Sequence, residues 1–167
     1  MKHLSRDIPP DSAGLANPAP AFDIIPFAPE YETTLKALGE DAGMGTLEGF
    51  ERTAIARSAG GNEVLGFCRI RVFDDVAYVN PLVTAPQARG MGVGRALMLH
   101  CADLYGELRL VARGYAVPFY RSIGCTDAAW QDIAPEVAGD CPACPDAATC
   151  NPQPMKLVVS NSAQSND

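Results

Sequence analysis

Hydrophobic and polar positions change period along the chain, and the changes predict strands alternating with helices. The strands are expected at 21–27, 53–59, 63–73 and 76–86. Residues 29–44 predict a helix with Pro29 near its start, and a looser helical segment is expected around 47–51. The turn sequences Gly-Gly-Asn and Asp-Asp join the last three of these strands, which predicts an antiparallel meander.

The second half of the chain continues this alternation. A glycine-rich stretch leads into a helix that ends near Tyr105, with an apolar stripe formed by Val93, Ala96, Leu97, Cys101 and Leu104. A strand at 107–113, a short helix at 116–124 and a last strand at 155–160 follow. This order predicts an α/β (α+β mixed) domain, with a central mixed, mostly antiparallel sheet flanked by helices on both faces.

The ends of the chain lack this periodicity. Residues 1–20 are rich in Pro, Ala, Asp and Ser, and the stretch 160–167 is polar throughout. We expect a disordered N-terminal segment and a flexible tail around a single domain at 21–159.

Pro81 is unusual because it stands inside a strand that must be central. Proline removes a hydrogen-bond donor from the ladder and is found at sheet edges or at bulges. We therefore predict a β-bulge at Pro81, where the strand parts from its neighbour and leaves backbone groups open to a ligand.

Composition and charge narrow the function classes. The chain has 167 residues, a formal net charge of −7 and a sequence pI of about 4.7, so its field repels phosphate backbones and nucleic acid is not expected as a partner. No apolar run is long enough to cross a bilayer, and the N-terminus has no apolar leader segment. We expect a cytoplasmic protein with no membrane partner.

Three glycines at alternate positions, Gly90, Gly92 and Gly94, stand where the second long helix begins. The first N–H groups of a helix are unpaired and attract anions, and glycine lets the backbone approach a phosphate closely. The Walker loop and the dinucleotide-binding fingerprint both fit this stretch poorly. A tight turn with close helix packing is the alternative to a phosphate loop.

Two stretches of the chain match short motifs. The stretch from Gln87 to Gly92 fits the pattern Q/R-x-x-G-x-G/A, and VPFYRSIGC from Val117 is similar to the pattern F-Y-x-x-x-G-F. Together, in this order, they resemble the GNAT superfamily of acyl-CoA-dependent N-acetyltransferases. The resemblance covers about 22–125 and the closing strand near Leu157, and it implies the GNAT fold with acetyl-CoA as co-substrate.

The resemblance also implies which residues bind the coenzyme. Main-chain N–H groups in the glycine loop hold the pyrophosphate, with Gln87 and Arg95 at its flanks. The loop residues are Arg89, Gly90, Met91, Gly92, Val93 and Gly94. The strand residues Leu82, Val83 and Thr84 pair with the pantetheine arm. Arg113 stands where the family often has an asparagine that helps to fix the coenzyme, and Cys125 replaces an aromatic residue.

For catalysis, the resemblance implies that Tyr120 is the general acid that protonates the leaving thiolate, and a packing role is the alternative. The N–H of Val83 or of a neighbour would polarise the thioester carbonyl. The general base stays open because the strand before the glycines has no carboxylate between Val76 and Val83. The candidates are Tyr78 and Asn80 through a water, Glu48, Glu51 and Asp75.

The chain contains six cysteines, and three of them form the pattern Cys141-x2-Cys144-x5-Cys150. Converging thiolates favour zinc. Because only three cysteines are local, the fourth ligand would be Cys125, Asp140, Asp146 or water, and an iron–sulfur cluster would also lack a local fourth cysteine. A redox-sensitive or disulfide pair and unremarkable loop thiols are the alternatives. Cys68 and Cys101 are expected in the core.

The sequence thus predicts an N-acetyltransferase that moves an acetyl group from acetyl-CoA to a primary amine of a small molecule, peptide or protein, by direct attack in a ternary complex. The alternative is a non-catalytic CoA-binding module that responds to metal or redox state. A monomer or homodimer is expected.

Overall fold

The computed structural model describes residues 21–139, 141, 142, 144 and 146–160. In this part of the chain seven strands form one sheet in the order β1-β2-β3-β4-β5-β7-β6. The strands are β1 Phe22–Pro26, β2 Thr53–Ser58, β3 Val64–Phe73, β4 Val76–Thr84, β5 Glu107–Ala112, β6 Thr126–Asp127 and β7 Gln153–Val158. The helices are α1 Glu32–Asp41, α2 Val93–Tyr105, α3 Val117–Ser122, α4 Pro135–Ala138 and α5 Ala147–Cys150. The predicted mixed, mostly antiparallel sheet with helices is confirmed.

Short 3₁₀ turns precede several of these elements, at Pro29–Tyr31, Pro86–Ala88, Gly114–Ala116 and Trp130–Asp132. No helix in the described ranges is both long and apolar enough to cross a bilayer. The ends for which we predict disorder, 1–20 and 161–167, lie outside the described residues.

The helical segment predicted at 47–51 is wrong. These residues are irregular, and Gly49 has a left-handed φ of 77° that would break a helix. Leu47 and Phe50 still carry the apolar spacing that suggested a helix, because both side chains are buried against Leu35 and Phe67. The last strand also begins two residues earlier than predicted, at Gln153.

The two faces of the sheet are covered differently. One face packs against α2, whose buried residues Leu97, Met98 and Cys101 meet Cys68 and Leu108 of the sheet. The opposite face is covered at one end by α1 and the segment 47–50, and at the other end by Ile133 and Val137 of the segment between β6 and β7. Between these two covered regions, Arg69 and Arg71 of β3 line an open cleft.

The bulge predicted at Pro81 is confirmed. In the antiparallel pairing of β3 with β4, Cys68 lies opposite Leu82 and Ile70 lies opposite Val79. Arg69 alone therefore faces both Asn80 and Pro81, which is the extra residue that defines a bulge.

Candidate active site

A fork between β4 and β5 forms the centre of the site. These parallel strands are paired only at Ala77↔Leu108 and Tyr78↔Arg109, after which they separate. A cleft of about 1320 Å³ occupies the region of the fork, lined by residues of both strands after the separation. It extends to the glycine loop at one end and to the segment 43–48 at the other, where it is also lined by Val137, Cys141, Cys144, Cys150 and Pro152.

The phase of the β3–β4 ladder decides which backbone groups face the fork. The Ala85 N–H donates to the Leu65 carbonyl over 2.8 Å, and alternate residues of an antiparallel strand bond to the same neighbour. Val83, two residues before Ala85 and opposite Phe67, therefore bonds towards β3. The N–H groups of Leu82 and Thr84 point the other way, and both residues line the cleft, whereas the Val83 side chain is buried in the core beside α1.

The glycine loop forms the mouth of the cleft. Gly90 and Gly92 have φ values of 82° and 81°, and Gly92 is the N-cap of α2. The first bond of that helix runs from Ala96 N–H to the Gly92 carbonyl, so the preceding N–H groups have no partner within the helix. Loop residues that line the cleft are Arg89, Gly90, Gly92, Val93, Gly94 and Arg95.

The three glycines have different structural reasons. A Cβ at Gly94 would lie 3.1 Å from Phe119 Cζ and 3.4 Å from Thr84 Oγ1, so close packing of α2 explains this glycine. A Cβ at Gly90 or Gly92 would meet no atom within 4 Å. Their positive φ, with open space beside them, fits a backbone that approaches a ligand.

Two of the predicted loop contacts lie outside the cleft lining. The Met91 side chain is 44% exposed. The Gln87 amide donates from Nε2 to Glu63 Oε1 over 3.2 Å, and Gln87 is not in the cleft lining.

Tyr120 lies on α3 with its side chain at the cleft and only 9% exposed. Its ring packs edge-on against Phe119, with 5.1 Å between the ring centroids. Burial raises the pKa of the hydroxyl well above its usual value, and the nearby thiols of Cys68 and Cys125 act in the same direction. Within the described chain the hydroxyl has no hydrogen-bond partner, so it is a protonated donor with its hydrogen available to a ligand.

Tyr78 is placed differently from our expectation. Its hydroxyl donates to the Asp132 carbonyl over 3.2 Å and accepts from the Ala134 N–H over 3.1 Å. The side chain is 3% exposed and packs with Ile133 and Val137. Tyr78 therefore anchors the segment that follows β6 and is not positioned to orient a water in the cleft.

Among the predicted carboxylates, Glu48 lines the cleft, whereas Glu51 and Asp75 are not in its lining. The Glu48 carboxylate lies 3.4 Å from Lys36 Nζ and is largely exposed. Asn80 also lines the cleft, and its carbonyl and side-chain oxygens both accept from Arg69.

Arg69 is a site residue that sequence reasoning missed. Its guanidinium is 8% exposed and donates through Nε to the Gly49 carbonyl over 2.8 Å, and through Nη2 to the Glu48 carbonyl. It thereby joins the bulge to the segment after α1. A charged residue inside the apolar run of a central strand was the available signal, since such a residue must find partners when buried.

The cysteine segment between β6 and β7 forms a wall of the cleft, with Cys141, Cys144 and Cys150 in the lining. Across the part of the chain that the structure describes, no group of three or more His, Cys, Asp or Glu residues could hold a metal ion. Zinc is therefore not supported, and Asp140 lies outside the described residues. No disulfide joins any of the six cysteines, all of which are described.

Cys125 lies apart from this wall, because its side chain is 4% exposed within the main core. Burial raises the pKa of its thiol to about 11, which is the opposite of what a metal-binding thiolate requires. Cys68 and Cys101 are buried in the core as predicted. They are hydrogen-bonded to each other, and this bond together with burial raises the pKa of Cys68.

The separation of β4 from β5 and the glycine loop at the N-terminus of α2 thus bring strand backbone and a helix N-terminus to one cleft. The family described as "Acetyltransferase (GNAT) domain" matches residues 49–124, from just before β2 to just after α3. The match covers somewhat less than half of the chain and supports an acyltransferase.

Solved structures with the same fold share little sequence with the chain. N-acetylglutamate synthase from Neisseria gonorrhoeae, complexed with coenzyme A and N-acetyl-glutamate, has a TM-score of 0.61 at 16% identity; the match covers 82% of this chain and 35% of the synthase. The ribosomal-protein-S18-alanine N-acetyltransferase from Escherichia coli has a TM-score of 0.59 at 16% identity, covering 87% and 99%. A variant of the spermidine N-acetyltransferase SpeG from Vibrio cholerae has a TM-score of 0.61 at 11% identity, covering 83% and 94%.

These structural similarities show the fold alone. The chain spans about a third of the length of the gonococcal synthase. No curated protein sequence matches the chain.

Proposed function

We propose that the chain is an N-acetyltransferase that moves an acetyl group from acetyl-CoA to a primary amine of a small molecule, peptide or protein, by direct attack in a ternary complex. One observation carries this proposal: the unpaired N–H groups at the start of α2, the open backbone of β4 and the Tyr120 hydroxyl all face a single cleft. The solved coenzyme A complex with the same fold adds support.

The residues present fit coenzyme A. The N–H groups of Gly90, Gly92, Val93 and Gly94 would hold the pyrophosphate, whereas those of Arg89 and Met91 already donate to the carbonyls of Pro86 and Ala88. The Arg89 and Arg95 side chains would add positive charge there. The backbone of Leu82 and Thr84 would pair with the pantetheine arm in the fork. Bound acetyl-CoA would supply an acetyl group activated as a thioester.

The chain's own groups then handle charge and protons. An N–H of Leu82 or Thr84, freed from the ladder by its phase, would donate to the thioester oxygen and stabilise negative charge there. Tyr120, whose raised pKa keeps it protonated, would hold a proton on its hydroxyl for the departing sulfur. Glu48 is our candidate for accepting the amine proton, directly or through a water, because among the described lining residues it is the one carboxylate.

A non-catalytic CoA-binding module is the second candidate. The described lining of the cleft favours this candidate, because Glu48 is its one carboxylate that could act as a general base. That carboxylate is largely exposed and lies beside Lys36. The fold leaves the acceptor open, since the proteins of this fold named above include an acetyltransferase for a ribosomal-protein alanine and one for spermidine.

Calorimetric titration with acetyl-CoA and with coenzyme A, followed by thiol release against a panel of amines, tests the proposal. We expect a micromolar dissociation constant and thiol release that depends on the amine. Binding without amine-dependent release would favour the binding module. The absence of binding would overturn the assignment of the glycine loop.

A further inference from the structure

The cleft has the opposite charge to the chain as a whole. The chain carries 20 acidic and 13 basic residues, for a net charge of −7. The described residues that line the cleft include five arginines and one glutamate, which leaves four positive charges uncompensated within the lining. A cleft with this excess of positive charge attracts anions.

Three of the five arginines have a role already. Arg89 and Arg95 lie in the glycine loop, where a pyrophosphate would need them. Arg69 is buried beneath the bulge and bonded to backbone carbonyls. Arg71 and Arg113 remain: neither lies in the glycine loop or at the bulge, and Arg113 replaces the asparagine that often helps to fix the coenzyme in the family.

Arg113 follows β5 and points across the cleft towards the segment after α1. Its guanidinium lies 3.3 Å from the Tyr115 hydroxyl, from the Gly43 carbonyl and from the Met44 sulfur. These partners are neutral, and within the described ranges Arg113 forms no ion pair with a carboxylate. A guanidinium held in place by neutral groups keeps its charge available for a ligand.

Arg71 lies on β3 two residues after Arg69, so both side chains are on the same face of the sheet. Its guanidinium carbon lies over the Phe73 ring, 4.8 Å from the centroid, in a cation–π contact. It too forms no ion pair with a carboxylate in the described part of the chain. Arg71 and Arg113 thus bring two uncompensated guanidinium groups to one cleft.

We propose that the acceptor amine belongs to a molecule that also carries a carboxylate, and that Arg71 and Arg113 bind this carboxylate. The inference rests on the proposed acetyl transfer and adds the acceptor class: a free amino acid or a peptide with an acidic group. Guanidinium groups match the planar carboxylate and bind it through paired N–H donors.

Matched pairs of acceptors test this class. Each pair contains an L-amino acid and its α-amide, with glutamate, leucine and phenylalanine as the amino acids, and a second arm uses short peptides with and without acidic side chains. The amine of an amide is less basic than that of its acid, so preference for the acid cannot come from easier deprotonation. We expect kcat/KM for the acid to exceed that for its amide by about tenfold or more in at least one arm. The arm in which this preference is found distinguishes a free amino acid from a peptide.

Two variants and a control locate the effect. Arg71→Met and Arg113→Met are each expected to raise KM for the acid about 10-fold to 100-fold, while KM for the amide and the affinity for coenzyme A stay within about twofold. Arg52→Met removes a charge outside the lining and is expected to change none of these constants.

The outcomes separate this inference from the proposed transfer. Equal rates with acid and amide, or variants that weaken coenzyme A and leave the acceptor unaffected, would overturn the carboxylate site. If no amine is acetylated, the proposed function fails, and calorimetry with the same pairs on the CoA-loaded protein decides the inference alone. Selective binding of the acids, lost in both arginine variants, would retain it as a binding site, and equal or absent binding would overturn it.

Discussion

Arg69 of β3 lies opposite Asn80 of β4, and its Nη1 donates to the Asn80 carbonyl over 2.6 Å. The bulge at this position removes Asn80 and Pro81 from regular pairing with β3, so the carbonyl needs another partner. The same guanidinium bonds the carbonyls of Glu48 and Gly49. One buried side chain therefore holds the bulge and one wall of the cleft together.

We predict that Arg69→Met lowers the free energy of unfolding by about 2–5 kcal/mol, because it leaves three backbone carbonyls without their charged donor. Urea denaturation measures the change. Arg71→Met is the matched control, since it removes an arginine from the same strand face that has only its stacking on Phe73, and we expect a loss below about 1 kcal/mol. Equal losses in the two variants would show that Arg69 is not the link described above.

Gly92→Val is predicted to abolish measurable binding of coenzyme A. The residue has a φ of 81° at the N-cap of α2, where a β-branched side chain is strained and would project into the open space beside the backbone. Gly60→Val is the matched control, because Gly60 has a φ of 71°, equally open surroundings and no place in the cleft lining. Calorimetric titration of both variants should show binding in the control alone.

Similar loss of stability is expected in the two valine variants, and thermal unfolding checks it. If Gly92→Val bound coenzyme A as the parent chain does, the glycine loop would not be the phosphate site.

Much of the fold was predictable because periodicity and turn residues act locally. The meander, the long helix α2 and the bulge at Pro81 follow from patterns within a few residues of each other. The segment 47–51 misled because Leu47 and Phe50 have helical spacing, although their burial comes from tertiary contact with Phe67. Local spacing does not distinguish a helix from a loop anchored at two points.

The candidate site was predictable only where a motif is contiguous. The glycine loop and Tyr120 were found in this way. Arg71 and Arg113 are 42 positions apart in the sequence, and only the fork between β4 and β5 brings them to one cleft. Proximity in sequence can also mislead: Cys141, Cys144 and Cys150 are close in sequence, but among the described residues they do not form a group that could hold a metal ion.

The cysteine segment gives a prediction about metal. We expect freshly purified protein to contain less than about a tenth of an equivalent of zinc or iron, and chelation to leave its thermal midpoint unchanged. Elemental analysis and thermal unfolding with and without EDTA measure both quantities. Stoichiometric zinc, lost in a Cys144→Ser variant but kept in Cys101→Ser, would reinstate the metal site.

Tyr120→Phe is predicted to lower kcat by about 10²-fold to 10⁴-fold, because the variant cannot protonate the leaving thiolate. The affinity for coenzyme A should stay within about twofold, since Phe keeps the packing against Phe119. Tyr105→Phe is the control: it removes a phenol from α2, outside the described cleft lining, and should leave kcat unchanged. Equal kcat in the parent and in Tyr120→Phe would return Tyr120 to a packing role.

The pH profile provides an independent check on the same residue. Because the pKa of Tyr120 is raised above the usual value of 10.0, its hydroxyl stays protonated as the pH rises, and the general acid is not lost below about pH 10. The amine loses its proton over the same range, so kcat/KM should rise with pH and then level without falling. An alkaline decrease with an apparent pKa of about 9–10, present in the parent and absent in Tyr120→Phe, would show that the hydroxyl titrates normally and is not shielded by burial.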